Sequence, residues 1–313
     1  MKPRPLRTWI IIGLVALTSR TSTIAGASEA PFSLQDQVES QIASPVPFSD
    51  DEMKKAQSAQ YIFVDGFCGE YLKTSFLPAE AVVKEHWKDE DATILRPSSK
   101  IAIWENADRL YPQIQSLRQG STKNETVIVA HSKGGAEVLL MVLRHPELIS
   151  KLGITKIVLV AAPIRGTDLA ELAEPASNPV TDFLNQEIPA LPSFLPALIN
   201  PIYADALSKL SAEEKNLIKA HVFYVRAQMS SDDIFSPLFL SHLLLSKAHA
   251  NGSNDGLIPT ENEVLLDEQG KAFGTDLGVM LGDHNSMTND SIFPDDLTYR
   301  RAFFETLIRN ILL

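Results

Sequence analysis

Thr126–Gly135 reads T-V-I-V-A-H-S-K-G-G, a β-branched apolar run that ends at a serine and continues directly into glycines and a helical pattern. This layout is typical of a nucleophile elbow, in which a tight turn between a strand and a helix exposes a serine hydroxyl. Ala130 and Gly134 are small at the two places where a larger side chain would collide with the turn. The stretch therefore predicts Ser132 as a catalytic nucleophile, and the alternative is an ordinary strand–turn–helix unit with an incidental serine.

Two backbone amides near this serine are candidate donors to an oxyanion. Lys133 follows the serine, so its N–H lies at a helix N-terminus, well placed to receive developing negative charge. The second donor is expected from a loop after an earlier strand, and V-D-G-F-C-G-E follows the strand-like run Tyr61–Val64. That loop offers the N–H of Phe67, with Gly66 permitting a tight turn. The alternative is that it forms an ordinary strand-to-helix connection.

Strand-like apolar runs alternate with helical patterns along residues 58–313. The predicted strands are Tyr61–Asp65, Thr93–Arg96, Thr126–Ala130, Lys156–Ala162, His221–Ala227 and one that ends with Gly278–Leu281. A helix is predicted over Ala107–Arg118 from the spacing of its leucines and isoleucine, another begins with Ala136–Leu143, and Tyr299–Leu313 is predicted to be an amphipathic helix. Strands separated by helices imply an α/β fold with a mostly parallel sheet and helices on both faces.

A serine nucleophile needs an adjacent base, which a third group must orient. His284, in G-D-H-N-S, lies on a turn after the last predicted strand and is the predicted base. A structural histidine facing solvent is the alternative. The acid should follow the penultimate strand, and Asp255 lies there on a Gly-rich turn. Asp232 and Asp233 come sooner after that strand, so position alone favours them over the predicted Asp255.

Two insertions interrupt the alternation of strands and helices. About 58 residues separate the fourth and fifth predicted strands, whereas an αβ connection usually has about 2–6. Within this first insertion, at about 168–220, Asp182–Leu210 is apolar but broken by prolines, as a movable lid over an apolar cleft would be. A second insertion covers about 230–254. The alternative to a lid is an extra subdomain packed permanently on the core.

The N-terminus is predicted to be a secretory signal peptide over residues 1–27. Basic residues precede the apolar stretch Trp9–Leu17, and A-G-A at 25–27 supplies small residues for cleavage after Ala27. Nine apolar residues are too few to span a bilayer, which needs about 20, although an uncleaved anchor is the alternative. The mature chain is therefore expected in the periplasm or outside the cell. Residues 28–57 are polar with three prolines and are predicted to form a mobile lead-in.

The net charge limits the classes of binding partner that are expected, and the cysteine content limits the possible disulfides. The formal net charge is −11, and it becomes −15 when the signal peptide and its four basic residues are removed. Such a surface repels nucleic acid and anionic membranes at long range, so any transient lipid contact would use apolar surface of the lid. Cys68 is the only cysteine, which excludes an intramolecular disulfide, and we interpret it as a packed rather than a reactive residue.

Taken together, these motifs resemble the α/β-hydrolase superfamily, and within it bacterial lipases and related esterases, over roughly Gln60–Leu313. The superfamily's G-x-S-x-G elbow is A-H-S-K-G in this chain. Its oxyanion loop usually begins His-Gly, whereas Asp65-Gly66 begins it here. Three further segments resemble the Pro-x-x-Gly-Thr segment, the acid loop and the histidine loop of those lipases: Ala161–Thr167, Asn254–Pro259 and Gly282–His284. The second of these supports Asp255 as the acid.

The resemblance implies an exported serine hydrolase that cleaves carboxylic esters, with hydrophobic acyl chains, and needs no cofactor. It assigns the roles of nucleophile, base, orienting acid and the two oxyanion donors to Ser132, His284, Asp255, Phe67 and Lys133, respectively. Some of the resembled lipases hold a structural calcium with an aspartate two positions after the histidine. Ser286 occupies that position here, so no metal is predicted.

Two other functions fit the same sequence. An extracellular depolymerase of an aliphatic polyester would use the same triad on a polymer. A non-catalytic binding protein could retain the fold, although an intact Ser–Asp–His set argues against it. A metalloenzyme is disfavoured, since neither H-E-x-x-H nor paired-cysteine ligand spacing is present.

Overall fold

A computed structural model describes residues 33–67, 69–73, 75–87, 92–167, 199–230, 236, 238–248, 252–288 and 297–312. Its centre is a sheet of parallel strands in the order β2-β1-β3-β4-β5-β6. The strands are β1 (Ala59–Val64), β2 (Ala92–Leu95), β3 (Glu125–His131), β4 (Ile154–Val160), β5 (Val222–Gln228) and β6 (Thr275–Leu281). The predicted parallel α/β sheet is confirmed, with each strand boundary within about three residues of its expected place.

The helices of the described residues, numbered in chain order, lie on both faces of the sheet. They are α1 (Leu34–Ala43), α2 (Asp50–Gln57), α3 (Gly69–Leu72), α4 (Leu77–Trp87), α5 (Ile103–Gly120), α6 (Ser132–Arg144), α7 (Glu147–Lys151), α8 (Ile199–Ser208), α9 (Ala212–His221), α10 (Phe239–Ala248) and α11 (Leu297–Leu312). No helix in these ranges is long and apolar enough to cross a bilayer.

The apolar runs of β1 and β3 are buried on both faces, as is usual for central parallel strands. Ile62 and Ile128 lie in a core that includes residues of α5 and α6. Phe63 and Val127 point to the opposite face and lie in a second core with residues of α4 and α11. Successive side chains of a strand point to opposite faces, so these two central strands join both halves of the core.

The expectation of a mobile lead-in over 28–57 is wrong for α1 and α2. Ser33 and Ser49 each cap their helix in a capping box, with Asp36 and Glu52 as the reciprocal acidic residues. The buried residues of α1 are Leu34, Val38 and Gln41, and the helix packs against α11 and β6. The polar composition of residues 28–57 therefore led to the wrong prediction, although the segment contains two capping boxes and a narrow apolar stripe.

The final helix α11 is tied to this N-terminal pair of helices through one arginine. The guanidinium of Arg309 lies 3.2 Å from Glu52 Oε1 and donates at 3.1 Å to Gln41 Oε1. It also donates to the carbonyl of Val46 and lies 4.4 Å from the ring centroid of Phe48. The side chain is only 17% exposed, so little water competes for these contacts.

Arg309→Met is therefore expected to destabilise the fold by about 1–3 kcal/mol, because it keeps much of the side-chain volume but removes charge-assisted hydrogen bonds. Thermal unfolding followed by circular dichroism measures this as a melting temperature lower by about 2–5 °C. Arg144→Met is the control, since Arg144 makes a more exposed pair with Asp108 and should change stability little. Equal losses in both variants would contradict a special role for Arg309.

The end of the first insertion is packed on the core rather than mobile. In α8, Tyr203 is fully buried and its hydroxyl donates to the carbonyl of Ala136 in α6 at 2.6 Å. Residues 168–198 of this insertion, which include the first part of the predicted lid Asp182–Leu210, lie outside the described residues, as do the signal peptide, Cys68, Asp232 and Asp233. The lid and the signal peptide therefore stay predictions.

Candidate active site

The turn between β3 and α6 has the sharp geometry expected of the elbow. Ser132 has a φ of 52°, a left-handed conformation that a residue with a side chain seldom adopts. Two other chain segments approach the first turn of α6 closely. A Cβ on Gly134 would lie 2.3 Å from the carbonyl oxygen of Asp65, and one on Gly135 would lie 2.7 Å from the Cβ of Ala162. Both glycines are therefore required by packing.

Three predicted site residues form one chain of hydrogen bonds. His284 Nε2 lies 2.7 Å from Ser132 Oγ, and His284 Nδ1 lies 2.5 Å from Asp255 Oδ2. All three side chains are buried. An ionised Asp255 can only accept, so the partners assign the ring proton to Nδ1 and leave Nε2 to accept from the serine hydroxyl.

The loop that carries Asp255 holds its carboxylate rigidly. Asp255 Oδ1 accepts hydrogen bonds from the backbone amides of Leu257 at 2.8 Å and Ile258 at 2.7 Å. The backbone carbonyl of Asp255 accepts from the amide of His284 at 2.8 Å. Asn254 braces the same turn, because its Oδ1 accepts from the amide of Gly256 at 2.9 Å. One carboxylate oxygen is thus fixed by the loop and the other faces the histidine.

His131 has a position that the sequence did not indicate. Its ring packs beside that of His284, with the centroids 4.9 Å apart. His131 Nε2 lies 2.8 Å from the carbonyl oxygen of His284. Burial, together with the neighbouring His284, lowers the pKa of His131 to about 3. The neutral ring therefore donates to that carbonyl and helps to fix the histidine loop.

The loop after β1 passes directly beside Ser132. A Cβ on Gly66 would lie 2.7 Å from Ser132 Cβ and 3.3 Å from Ser132 Oγ. Phe67 follows in the chain, so its amide belongs to the segment that passes the serine. The amide of Lys133 lies in the first turn of α6, where helix N–H groups have no intrahelical acceptor. Both predicted oxyanion donors are thus carried by segments that border Ser132.

Gly66→Ala is expected to lower any activity of Ser132 by about 10²-fold, because the new methyl group must displace the serine or the loop. Gly120→Ala is a suitable control, since a Cβ on Gly120 meets nothing within 4 Å. Steady-state kinetics on a soluble ester gives kcat for both variants. A Gly66→Ala variant with unchanged kcat would show that the loop does not need to stay so close to the serine.

The histidine loop is closed by side-chain hydrogen bonds around Ser286, at which no metal ligand was predicted. Ser286 Oγ donates to Asp283 Oδ1 at 2.9 Å and accepts from the amide of Asp283 at 2.9 Å. Ser236 Oγ donates to the other carboxylate oxygen of Asp283 at 2.7 Å. Within the described ranges, no group of three or more His, Cys, Asp or Glu residues is arranged to hold a metal ion.

Comparison with known proteins gives matches at the level of structure. No protein-family model and no curated protein matches the sequence. The crystal structure of a metagenomic carboxyl esterase is similar, with a TM-score of 0.61 and 21% identity over 85% of this chain and 78% of that one. The mature form of a Bacillus licheniformis lipase has a TM-score of 0.59 and 18% identity over 80% of this chain and 91% of its own. At these identities the similarity concerns the fold, and it confirms the α/β-hydrolase fold.

Proposed function

We propose that this chain is a carboxylic ester hydrolase in which Ser132, His284 and Asp255 are the catalytic triad. The observation that carries the proposal is the buried hydrogen-bond chain from the carboxylate through the imidazole to the serine hydroxyl. This arrangement is the one that activates a serine for attack on an acyl carbon. The structurally similar carboxyl esterase and lipase support the same reaction class.

In the proposed reaction, Ser132 Oγ attacks the ester carbonyl while His284 Nε2 takes the hydroxyl proton. Asp255 stabilises the imidazolium that forms. The carbonyl oxygen becomes an oxyanion, which accepts hydrogen bonds from the amides of Phe67 and Lys133. His284 then protonates the departing alcohol, and an acyl-enzyme remains. Water attacks this intermediate with His284 as base, which releases the acid and restores the serine.

The proposed substrates are lipids or other esters with hydrophobic acyl chains. The apolar composition of the first insertion supports this preference, as does exposed apolar surface on α10, where Leu243 and Leu244 are 42% and 47% exposed. This helix begins beside the acid loop, because a Cβ on Gly256 would lie 2.7 Å from the Cβ of Leu238. The proposal includes a lid within residues 168–198 and export through residues 1–27, to the periplasm or the medium.

The test uses the chain from residue 28 onwards and p-nitrophenyl esters of increasing acyl length. We expect hydrolysis that favours chains of eight or more carbons, and covalent labelling of Ser132 by a fluorophosphonate probe, located by peptide mass spectrometry. A preference for short chains would retain the ester hydrolase and reject the lipid substrate. Release of soluble products only from a polyester film would favour a depolymerase. Failure of both labelling and hydrolysis would mean that the fold serves binding alone.

A further inference from the structure

The side chain of Lys133 is buried beneath the elbow, with its residue only 2% exposed. Its ammonium donates to the carbonyl oxygens of Ser98 at 2.9 Å and Ile101 at 2.7 Å, and lies 3.0 Å from Glu137 Oε1. An ammonium has three N–H groups, so all of them are used. Lysine is among the residues least often buried, and this one is adjacent to the proposed nucleophile.

Glu137, one turn further along α6, forms a buried ion pair with Lys133, and removing two charges from water is energetically costly. Its Oε1 also accepts from Asn106 Nδ2 at 2.6 Å, whereas its Oε2 has no hydrogen-bond partner among the described residues. Burial raises the pKa of Glu137 to about 7, against the opposing effect of the Lys133 charge. Apolar residues in place of a buried ion pair are often neutral or stabilising. Stability alone therefore gives little reason for Lys133 and Glu137 to be there.

The carbonyls that Lys133 holds belong to the loop between β2 and α5, residues 96–101, here called the bridging loop. The other side of this loop is held by the segment that carries Phe67. Glu70, in α3, accepts from the amide of Ser99 at 2.6 Å and from its hydroxyl at 2.7 Å. Arg96 Nε lies 3.8 Å from Asp65 Oδ2, and Asp65 Oδ1 accepts from the amide of Gly66 at 2.7 Å. The bridging loop thus contacts both segments that would supply the oxyanion donors.

We propose that Lys133 is a positioning residue whose side chain fixes the bridging loop to the elbow and thereby sets the spacing between the Phe67 and Lys133 amides. The effect on catalysis that we expect from this role rests on the proposed function. Oxyanion donors act through pre-arranged geometry, and displacement of such groups by about 1 Å can lower a rate by about 10²-fold. Because the contact is with the transition state, the loss should fall on kcat rather than KM.

The main test is the double variant Lys133→Met/Glu137→Gln. Methionine keeps an apolar stem in the buried channel, and glutamine avoids an unpaired carboxylate while its oxygen can still accept from Asn106. We expect kcat to fall by about 10–100-fold, with KM changed by less than about threefold. Lys84→Met/Glu80→Gln is the matched control, because it removes an exposed i,i+4 pair of similar length, 2.9 Å, on α4. The control should keep wild-type kinetics.

Two further readouts separate positioning from a role in folding alone. A trifluoromethyl ketone forms a hemiketal oxyanion on the serine, so its affinity should fall in parallel with kcat. Hydrogen exchange by mass spectrometry should be at least about tenfold faster in peptides covering 65–73 and 96–103. Unchanged kcat, ketone affinity and exchange, with only a shifted melting temperature, would overturn the proposal.

The experiment also distinguishes this proposal from the proposed function. If wild type hydrolyses no ester, the function fails, and faster exchange in the double variant still decides whether Lys133 anchors the bridging loop. If the double variant does not fold, Ser99→Ala cuts one bond on the opposite side of the loop and leaves the buried lysine intact. It should lower kcat about 3–10-fold with the same exchange signature, and wild-type values for both would reject the proposal.

Discussion

Ser132→Ala is expected to lower kcat for ester hydrolysis by about 10⁴–10⁶-fold, which is the largest effect that any single change should have in this protein. The substitution removes Ser132 Oγ, which lies 2.7 Å from His284 Nε2 and gives its proton to that nitrogen in the proposed reaction. Any residual rate would come from water attack assisted by the oxyanion donors and by substrate binding. Labelling by a fluorophosphonate probe should disappear together with the activity.

The loss has to be separated from misfolding. Alanine adopts the left-handed conformation of position 132 no more readily than serine, so the melting temperature should change by no more than a few degrees. Ser150→Ala, at an exposed position in α7, controls for expression and handling and should keep full activity. If Ser132→Ala keeps more than about 1% of wild-type kcat, the proposed nucleophile is wrong.

Asp255→Asn is expected to lower kcat by about 10⁴-fold with little change in structure. Two loop amides, those of Leu257 and Ile258, donate to Oδ1, so an asparagine would keep its oxygen there. Its NH₂ group would then face His284 Nδ1, which must become an acceptor. The ring proton would move to Nε2, and a protonated Nε2 cannot take the proton of Ser132. Activity would therefore be lost because His284 has the wrong tautomer, although its ring stays in place.

Asparagine variants at Asp232 and Asp233, compared with Asp255→Asn, decide between the three candidate acids that the sequence left open. Asp232→Asn and Asp233→Asn should each change kcat by less than about threefold, because Asp255 already occupies Nδ1 of the histidine. Kinetics at several pH values and a crystal structure of the Asp255→Asn variant would show whether the site is otherwise intact. A large loss at position 232 or 233, with near wild-type activity in Asp255→Asn, would move the acid to the second insertion.

Sequence patterns predicted the sheet well because its strands carry their signal locally. Val127–Ala130 of β3 is an unbroken apolar run, and the glycines after Ser132 are needed because other chain segments approach them closely. The acid was harder to choose, since several aspartates follow β5 and chain position does not tell which one reaches His284. The resemblance of the Asn254–Pro259 loop favoured the residue that the structure brings to the imidazole.

Other features depend on contacts between distant residues and have no local signature. His131 meets the carbonyl of His284 across 153 residues of sequence, so no spacing rule could have found that bond. Lys133 was selected for its backbone amide alone, and the two carbonyls that its side chain contacts lie about 30 residues earlier, in a loop. The helices α1 and α2 did have local signals, in their two capping boxes, which the polar composition of the segment obscured.

The packing of α1 on α11 has a consequence for the order in which the chain can fold. Gln41 donates to Glu305 at 2.8 Å across 264 residues, so closing this contact carries a high entropic cost and depends on the last helix being present. The proposed export would release the polypeptide N-terminus first. In that case α1 cannot pack against α11 until almost the whole chain has been released. The part of that face of the sheet which α4 does not cover would stay exposed during that interval, and such exposed apolar surface is what a holding chaperone binds.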